Sequence, residues 1–148
     1  MRIKFENRQM FTFVKIRKCK EEDLERVYEI ERLSFKFPYP TKFFYDFMDK
    51  LFFVLEDKGE IIGYIIADKK RSLIISIAVH PLHRRKGYGK MLMEHVLKFM
   101  KGKVMLHVKK SNLGAIDFYK KLGFEEIGEI KGYYRDGEDA ILMAKMLS

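Results

Sequence analysis

Residues 73–100 read LIISIAVHPLHRRKGYGKMLMEHVLKFM, which is an apolar strand, a basic loop with two glycines and an amphipathic helix in succession. Gly87 and Gly89 let the backbone approach a ligand closely, because neither carries a Cβ atom. The first N–H groups of a helix have no partners within the helix, and the helix dipole adds positive potential at that end. The stretch therefore predicts a phosphate site at residues 87–90.

Two common phosphate-binding loops do not fit this sequence. A P-loop ends in Gly-Lys-Ser or Gly-Lys-Thr, whereas Lys90 is followed by Met91. A dinucleotide-binding loop has a third small residue where this chain has Leu92. The alternative to a phosphate site is a helix that simply begins at a glycine, next to a solvated basic loop that binds no ligand.

The 148 residues are enough for a domain with a hydrophobic core, and the hydrophobic content of 47% excludes a disordered chain. We expect a single domain over residues 1–148, with residues 1–12 forming an extra strand or a tail. The longest apolar runs, at 51–55 and 73–79, are far shorter than the roughly 18 residues that a membrane span needs. Residues 1–10 lack the apolar core of a signal peptide, so we expect a cytoplasmic protein with no membrane partner.

The single cysteine, Cys19, excludes an internal disulfide and a cysteine-based zinc site. His80 and His83 lie in a loop without supporting carboxylates, so no metal is expected. The net charge of +9 is typical either of a protein that contacts a polyanion such as the ribosome surface or of a lysine-rich intracellular protein. The positive charge is dispersed along the chain, which favours the second interpretation and predicts no specific nucleic-acid binding.

Periodicity places a strand–helix–strand crossover at the centre of the fold, with strands 73–79 and 103–108 parallel and side by side. Apolar residues at helical spacing are expected to be buried on the central helix, namely Met91, Leu92, Val96 and Phe99. The remaining strands are predicted at residues 13–19, 51–56, 61–68, 124–131 and 138–147. The remaining helices are predicted at residues 21–35, at 41–49 and from Ser111 or Asn112 to Gly123.

Two side chains are candidates for acid–base chemistry. His107, on the predicted strand at 103–108, could accept a proton near neutral pH, because the unperturbed pKa of histidine is about 6.5. Asn112 and Tyr119 share one face of the next helix, since a spacing of seven residues returns to the same face. Position alone favours ordinary core residues for both His107 and Tyr119.

Several segments resemble the GNAT superfamily of acetyltransferases. Arg84, Gly87 and Gly89 form an Arg-x-x-Gly-x-Gly pattern similar to the acetyl-CoA signature of that family, and residues 111–124 resemble its second signature region. The segments LHVKKSN at 106–112 and YYRDGEDA at 133–140 are similar to the protein N-terminal acetyltransferases. Within that group the resemblance is to the RimI-like bacterial enzymes and to the catalytic subunits of the NatA and NatE types.

The resemblance implies an α/β (α+β) fold with a mixed, largely antiparallel sheet, one parallel pair splayed at the CoA site and about four helices. It implies transfer of the acetyl group of acetyl-CoA to the N-terminal α-amine of a protein or peptide, with His107 accepting the amine proton and Tyr119 supplying one to the CoA thiolate. The residues expected to bind CoA are Ile77, Ala78, Val79, Arg84, Arg85, Lys86, Gly87, Tyr88, Gly89, Lys90, Asn112 and Tyr119. Those expected to bind the peptide are Phe37, Pro38, Tyr39, Tyr133 and Tyr134.

The sequence differs from the related enzymes at the position of the general base. RimI-type enzymes carry a glutamate where this chain has His107, whereas NatE-type enzymes carry a histidine. The tyrosine that partners this histidine in NatE-type enzymes falls at Leu73, and the acid of the NatA-type first loop falls at Phe37. A water-linked acid such as Glu31 is therefore the alternative base. The alternative acceptors are a lysine side chain, a polyamine or another small amine, and the alternative class is a noncatalytic CoA-dependent or nucleic-acid-binding module.

Overall fold

The computed structural model describes residues 13–148, so the predicted strand or tail at residues 1–12 lies outside the described residues. Seven strands form one mixed, open sheet in the order β1-β2-β3-β4-β5-β7-β6, and every neighbouring pair is antiparallel except β4 and β5. The strands are β1 Val14–Lys18, β2 Leu51–Asp57, β3 Glu60–Asp68, β4 Leu73–Val79, β5 Lys103–Lys109, β6 Glu125–Ile130 and β7 Ala140–Met146. The helices are α1 Leu24–Ser34, α2 Thr41–Asp46, α3 Tyr88–Leu97 and α4 Leu113–Lys121. The mixed sheet with one parallel pair and four helices confirms the fold that the sequence predicted.

The first two helices are shorter than the patterns predicted. Residues 21–23 form a single 3-10 turn before α1, because the Asp23 carboxylate accepts the Lys20 N–H at 2.7 Å and tightens the chain there. The same carboxylate receives Arg17 of β1 at 2.7 Å, which fixes the start of α1 against the sheet. Helix α2 ends at Asp46 rather than at residue 49, because the Phe47 N–H donates to Phe44 and the chain turns toward β2.

Each face of the sheet carries one hydrophobic core. On one face α1 and α2 pack against β2 and β3 through buried residues that include Val27, Ile30, Phe44 and Phe52. On the other face α3 and α4 pack through residues that include Leu92, Val96, Leu106 and Ile116. Phe99 was predicted to be buried and is 43% exposed, because α3 ends at Leu97 and the Phe99 ring stacks against Phe53 at the edge of the core.

The parallel strands β4 and β5 are joined at one position and then separate. Leu73 pairs with Met105, and the Met105 N–H donates to the Ser72 carbonyl at 2.9 Å. No pairing between the two strands continues past this point in the described chain, although β5 remains paired with β7 along its whole length. The sheet therefore opens into a cleft toward the C-terminal ends of β4 and β5. Within residues 13–148, no helix is both long and apolar enough to cross a bilayer.

Candidate active site

The backbone of β4 presents hydrogen-bonding groups to this cleft. The His80 N–H donates to the Ile62 carbonyl at 2.8 Å, so Val79 and Gly63 are a non-hydrogen-bonded pair of the β3–β4 ladder. The N–H and C=O of Val79 therefore point away from β3 and into the cleft, and those of Ile77, two residues earlier, point the same way.

Ala78 lies between these two residues and behaves differently. It pairs with Tyr64, so its peptide groups face β3 and its side chain is buried. Three β4 residues were predicted to contact a ligand. Ile77 and Val79 have backbone groups that face the cleft, whereas the backbone groups of Ala78 bond to β3 and its side chain packs in the core.

The loop before α3 exposes the first backbone N–H groups of that helix. Gly87 caps α3 with φ of 85°, a left-handed conformation that residues with a Cβ atom adopt at a cost. Intrahelical bonding begins with Met91, whose N–H donates to the Gly87 carbonyl, so the N–H groups of residues 88–90 remain available at the helix start. We call residues 84–90 the glycine loop.

The structure explains the glycine at each of the two loop positions in a different way. A Cβ atom on Gly87 would meet nothing within 4 Å, so only the backbone conformation requires a glycine there. A Cβ atom on Gly89 would lie 3.1 Å from the Phe118 ring of α4, so close packing of the two helices favours glycine there. Tyr88 between them is 5% exposed, and its side chain belongs to the core, which leaves its backbone N–H to face a ligand.

The charged residues of the loop divide into one that is engaged and three that are free to meet an anion. The Arg84 guanidinium donates to the Val79 carbonyl at 2.8 Å and to the Ser34 hydroxyl at 3.0 Å, so it ties the loop to β4 and α1. Arg85, Lys86 and Lys90 are exposed beside the helix start. Exposed N–H groups, open space at Gly87 and these cations together fit the phosphates of a CoA-type ligand.

A cavity of about 200 Å³ lies between β4 and β5 where they separate, and we call it the aromatic cavity. It is lined by Tyr39, Phe43, Phe47, Arg71, Leu73, Ile74, Ile75, His107, Tyr133 and Tyr134. The structure thus brings His107 together with Tyr39, Tyr133 and Tyr134, which come from distant parts of the sequence. Leu73, which falls where NatE-type enzymes carry a tyrosine, also lines this cavity.

His107 is held in the wall of the aromatic cavity by the Tyr133 ring. The two rings stack with centroids 4.7 Å apart and planes within 8° of each other. Burial and the positive charge of Arg71 lower the pKa of His107 below its usual 6.5. The imidazole is therefore neutral at physiological pH and able to accept a proton.

Tyr119 and Asn112 lie on α4, outside the lining of the aromatic cavity. Tyr119 is half-buried against Phe124 and Phe118, and burial raises its pKa to about 12. Its hydroxyl keeps its proton at neutral pH and can donate it. The Asn112 side chain accepts the Ala115 N–H at 3.1 Å, which confirms that Asn112, rather than Ser111, caps α4.

Of the residues predicted to bind the peptide, some line the aromatic cavity and others lie outside its lining. Tyr39 lines the aromatic cavity and stacks on Phe43 at 3.9 Å, and Tyr134 packs edge-on against Tyr133. Burial raises the pKa of Tyr134, so its hydroxyl also stays protonated. Phe37 and Pro38 do not line the cavity, and the Phe37 ring lies at its rim among basic side chains.

A buried polar network lies beneath the segment that carries Tyr39, and sequence reasoning missed two of its members. Glu31 is 1% exposed, and its carboxylate accepts hydrogen bonds from the Tyr64 hydroxyl, from the Tyr39 N–H at 3.1 Å and from the Ser76 hydroxyl at 3.4 Å. Tyr64 is fully buried and its oxygen lies 2.9 Å from that of Ser76. The network joins α1, β3 and β4 to the segment after α1.

Burial is the main influence on the Glu31 carboxylate and raises its pKa, although the three donors act in the opposite direction. One sequence signal could have revealed the network. Glu31 follows Leu24 by seven residues and therefore lies on the buried face of α1, where an acid needs hydrogen-bond partners. Within residues 13–148, no group of three or more His, Cys, Asp or Glu side chains is placed to hold a metal ion.

Known proteins similar to this chain share its fold and much of its length. The acetyltransferase (GNAT) family profile matches residues 24–124. An N-alpha-acetyltransferase of Sulfurisphaera tokodaii is 37% identical, with 90% of this chain and 93% of that protein covered. The crystal structure of the ribosomal-protein-S18-alanine N-acetyltransferase of Escherichia coli has a TM-score of 0.82 at 32% sequence identity. The match covers 91% of this chain and 94% of the Escherichia coli chain. Arabidopsis thaliana Naa50, solved with the bisubstrate analogue CoA-Ac-MVNAL, has a TM-score of 0.80 at 26% sequence identity. That match covers 92% of this chain and 100% of the Naa50 chain.

Proposed function

The chain belongs to the acetyltransferase (GNAT) family, and we propose that it transfers the acetyl group of acetyl-CoA to the N-terminal α-amine of a protein or peptide. The observation that carries the proposal is the aromatic cavity, in which His107 lies beside three tyrosines at the point where β4 and β5 separate. Such a cavity admits the first residue of an extended chain, and its tyrosines offer hydroxyl groups to peptide backbone.

The donor would be held by backbone groups of the cleft and of the glycine loop. The N–H groups of residues 88–90, with Arg85, Lys86 and Lys90, suit the phosphates. The cleft-facing N–H and C=O of Ile77 suit the amide-bearing arm, which would add to β4 like another strand. Asn112 would meet the same arm at the start of α4. The Val79 N–H, which faces the cleft, would stabilise negative charge on the acyl oxygen.

Acetyl-CoA supplies the activated acyl group when it is bound, and two side chains of this chain would manage the protons. The amine proton passes to the neutral His107 imidazole as the nitrogen bonds to the acyl carbon. The carbon–sulfur bond breaks, and the thiolate takes the proton of the Tyr119 hydroxyl. The lowered pKa of His107 keeps the imidazole unprotonated at neutral pH, and the raised pKa of Tyr119 keeps its hydroxyl protonated, which are the starting states that a base and an acid need.

The cost of removing the amine proton favours an α-amine over a lysine side chain. An α-amine has a pKa of about 7.8 and lysine of about 10.4, a difference equivalent to roughly 3.5 kcal/mol at a given pH. A histidine with a lowered pKa is a mild base, and a mild base suits the more acidic ammonium group. The names of the Sulfurisphaera and Escherichia relatives, and the peptide analogue held by Naa50, support the same acceptor class.

Steady-state kinetics with acetyl-CoA and a panel of acceptors tests the proposal. The panel contains tetrapeptides with free N-termini, the same peptides with blocked N-termini and one internal lysine, and a polyamine. We expect the free peptides to have the highest kcat/KM, with the blocked peptides and the polyamine near background. Turnover of the polyamine or of the blocked peptide, with none of the free peptides, would assign the enzyme to lysine or small-amine acetylation instead.

A further inference from the structure

Three basic side chains surround the Phe37 ring at the rim of the aromatic cavity. The Lys36 Nζ atom lies 5.5 Å from the ring centroid, the Lys109 Nζ atom 5.6 Å and the Arg135 Cζ atom 5.9 Å. They come from the segment after α1, from the end of β5 and from the hairpin between β6 and β7. We call these three residues the basic rim.

The basic rim is continuous with the wall of the aromatic cavity. The Lys109 Nζ atom lies 5.4 Å from the Tyr134 ring centroid as well as near Phe37, and Tyr134 lines the cavity. A peptide whose first residue enters the cavity in an extended conformation advances about 3.3 Å per residue. Because successive side chains of an extended chain point to opposite faces, either the second or the third side chain would face the rim.

The rim carries more positive charge than its neighbours neutralise. Asp136 pairs with Lys109 at 2.9 Å, and that hydrogen bond holds the pKa of Asp136 below its usual value. In the part of the chain that the structure describes, neither Lys36 nor Arg135 has a carboxylate oxygen within 4.0 Å.

The other carboxylates of the hairpin are engaged elsewhere. Glu138 accepts the Ser111 N–H at 2.9 Å, and Asp139 accepts the Gly132 N–H at 2.9 Å and also receives Lys131. Glu138 keeps its negative charge near Tyr134, whose pKa is raised mainly by burial and also by this charge, so the excess of positive charge at the cavity mouth is reduced but not cancelled.

We propose, resting on the proposed N-terminal acetylation, that the basic rim selects peptides with a carboxylate side chain in the second or third residue. An acidic side chain would meet Lys36 and Arg135, neither of which has a carboxylate oxygen within 4.0 Å in the described chain, whereas a basic one would be repelled. Because the rim is exposed, the preference is moderate and weakens as salt screens the charges.

Matched peptides that differ only in charge test this selection. The pairs carry Asp or Asn at position two, and Asp or Asn at position three, in sequences with no other acid. We expect kcat/KM to be about 3- to 20-fold higher for the Asp member of at least one pair at low salt, a preference that shrinks at 0.5 M salt.

A pair of double variants locates the effect on the protein. The double change Lys36→Gln with Arg135→Gln is expected to remove most of the Asp preference. The control, Lys98→Gln with Lys101→Gln, removes the same charge near the far end of α3, where both residues are exposed, and is expected to keep the preference. Turnover of the Asn peptides reports whether each variant is folded.

Two results would overturn the selection while leaving the proposed function in place. One is equal kcat/KM for the Asp and Asn peptides with the unchanged protein, and the other is an undiminished Asp preference in the rim variant. Turnover of none of the peptides, with turnover of a small amine, would instead reject N-terminal acetylation itself and the selection with it.

Discussion

At the glycine loop, the groups that face a ligand belong to the backbone of one continuous stretch, whereas in the aromatic cavity they are side chains delivered by several segments far apart in sequence. The loop needs two glycines, each for its own steric reason, and a helix start. The cavity needs the buried Glu31 network and the Tyr133 stack to hold its parts in place. Changes at the cavity should therefore act on chemistry and peptide binding, and changes at the loop should act on the CoA donor.

The largest expected effect comes from removing the proposed base in the cavity. His107→Ala should lower kcat by about 100-fold or more, because general base catalysis contributes on that order, while the KM for acetyl-CoA changes little. Tyr119→Phe should also lower kcat, on the order of tenfold or more. Initial rates at saturating substrates measure both changes. His95→Gln, on α3 against Phe53, is the control, and near-normal kcat in His107→Ala would remove His107 from the mechanism.

The next effect distinguishes a positioning role of Glu31 from a role as base. Glu31→Leu leaves the Tyr39 N–H and the Tyr64 hydroxyl without an acceptor, so the peptide KM should rise about tenfold and the melting temperature should fall. Glu31→Gln retains an acceptor and a donor, so its peptide KM and melting temperature should stay close to those of the wild-type protein. If Glu31→Gln loses kcat as severely as His107→Ala does, the carboxylate is the base and the positioning role is wrong. Glu25→Leu, exposed on the same helix, is the control.

A smaller effect separates the two glycines of the loop. Gly87→Ala places a Cβ atom on a left-handed backbone, at a cost of about 1 kcal/mol, and Gly89→Ala presses on the Phe118 ring. Both changes should weaken CoA binding several-fold in calorimetry while leaving the peptide KM unchanged. Gly128→Ala on β6, which has open space and an ordinary backbone, should have no effect. Unaltered CoA affinity in both loop variants would contradict a phosphate site there.

The smallest effect is a shift in the pH profile. Because the pKa of His107 lies below 6.5, the acid limb of kcat should lie below pH 6.5, with full activity above it, where the imidazole is neutral. Arg71→Gln removes a positive charge that favours the neutral form, so the limb should move to higher pH. The pH dependence of kcat at saturating substrates measures this. A limb that stays in place would mean that His107 is not the group that titrates.

The contrast between the two regions also explains what the sequence could predict. The glycine loop is local, so the spacing of Gly87 and Gly89 after an apolar strand was enough to predict the start of α3 and its exposed N–H groups. The parallel pairing of β4 and β5 followed from the handedness of a strand–helix–strand crossover.

The cavity could be predicted only in part. His107, Tyr39, Tyr133 and Tyr134 were identified through resemblance, but spacing cannot show that Arg71 lies near His107. Tyr64 and Ser76 were hidden in strands that look like ordinary core, because their partner Glu31 comes from another element more than thirty residues earlier in the chain. Contacts of this kind depend on the packing of the whole sheet.

The most direct test is to locate the acetyl group on a single peptide that carries both a free N-terminus and an internal lysine. After limited reaction with acetyl-CoA, fragmentation in a mass spectrometer assigns the added mass to one nitrogen. The acetyl group is predicted on the N-terminal nitrogen, with the lysine unmodified. An acetyl group on the lysine with a free N-terminus would contradict the assignment of the aromatic cavity to α-amines.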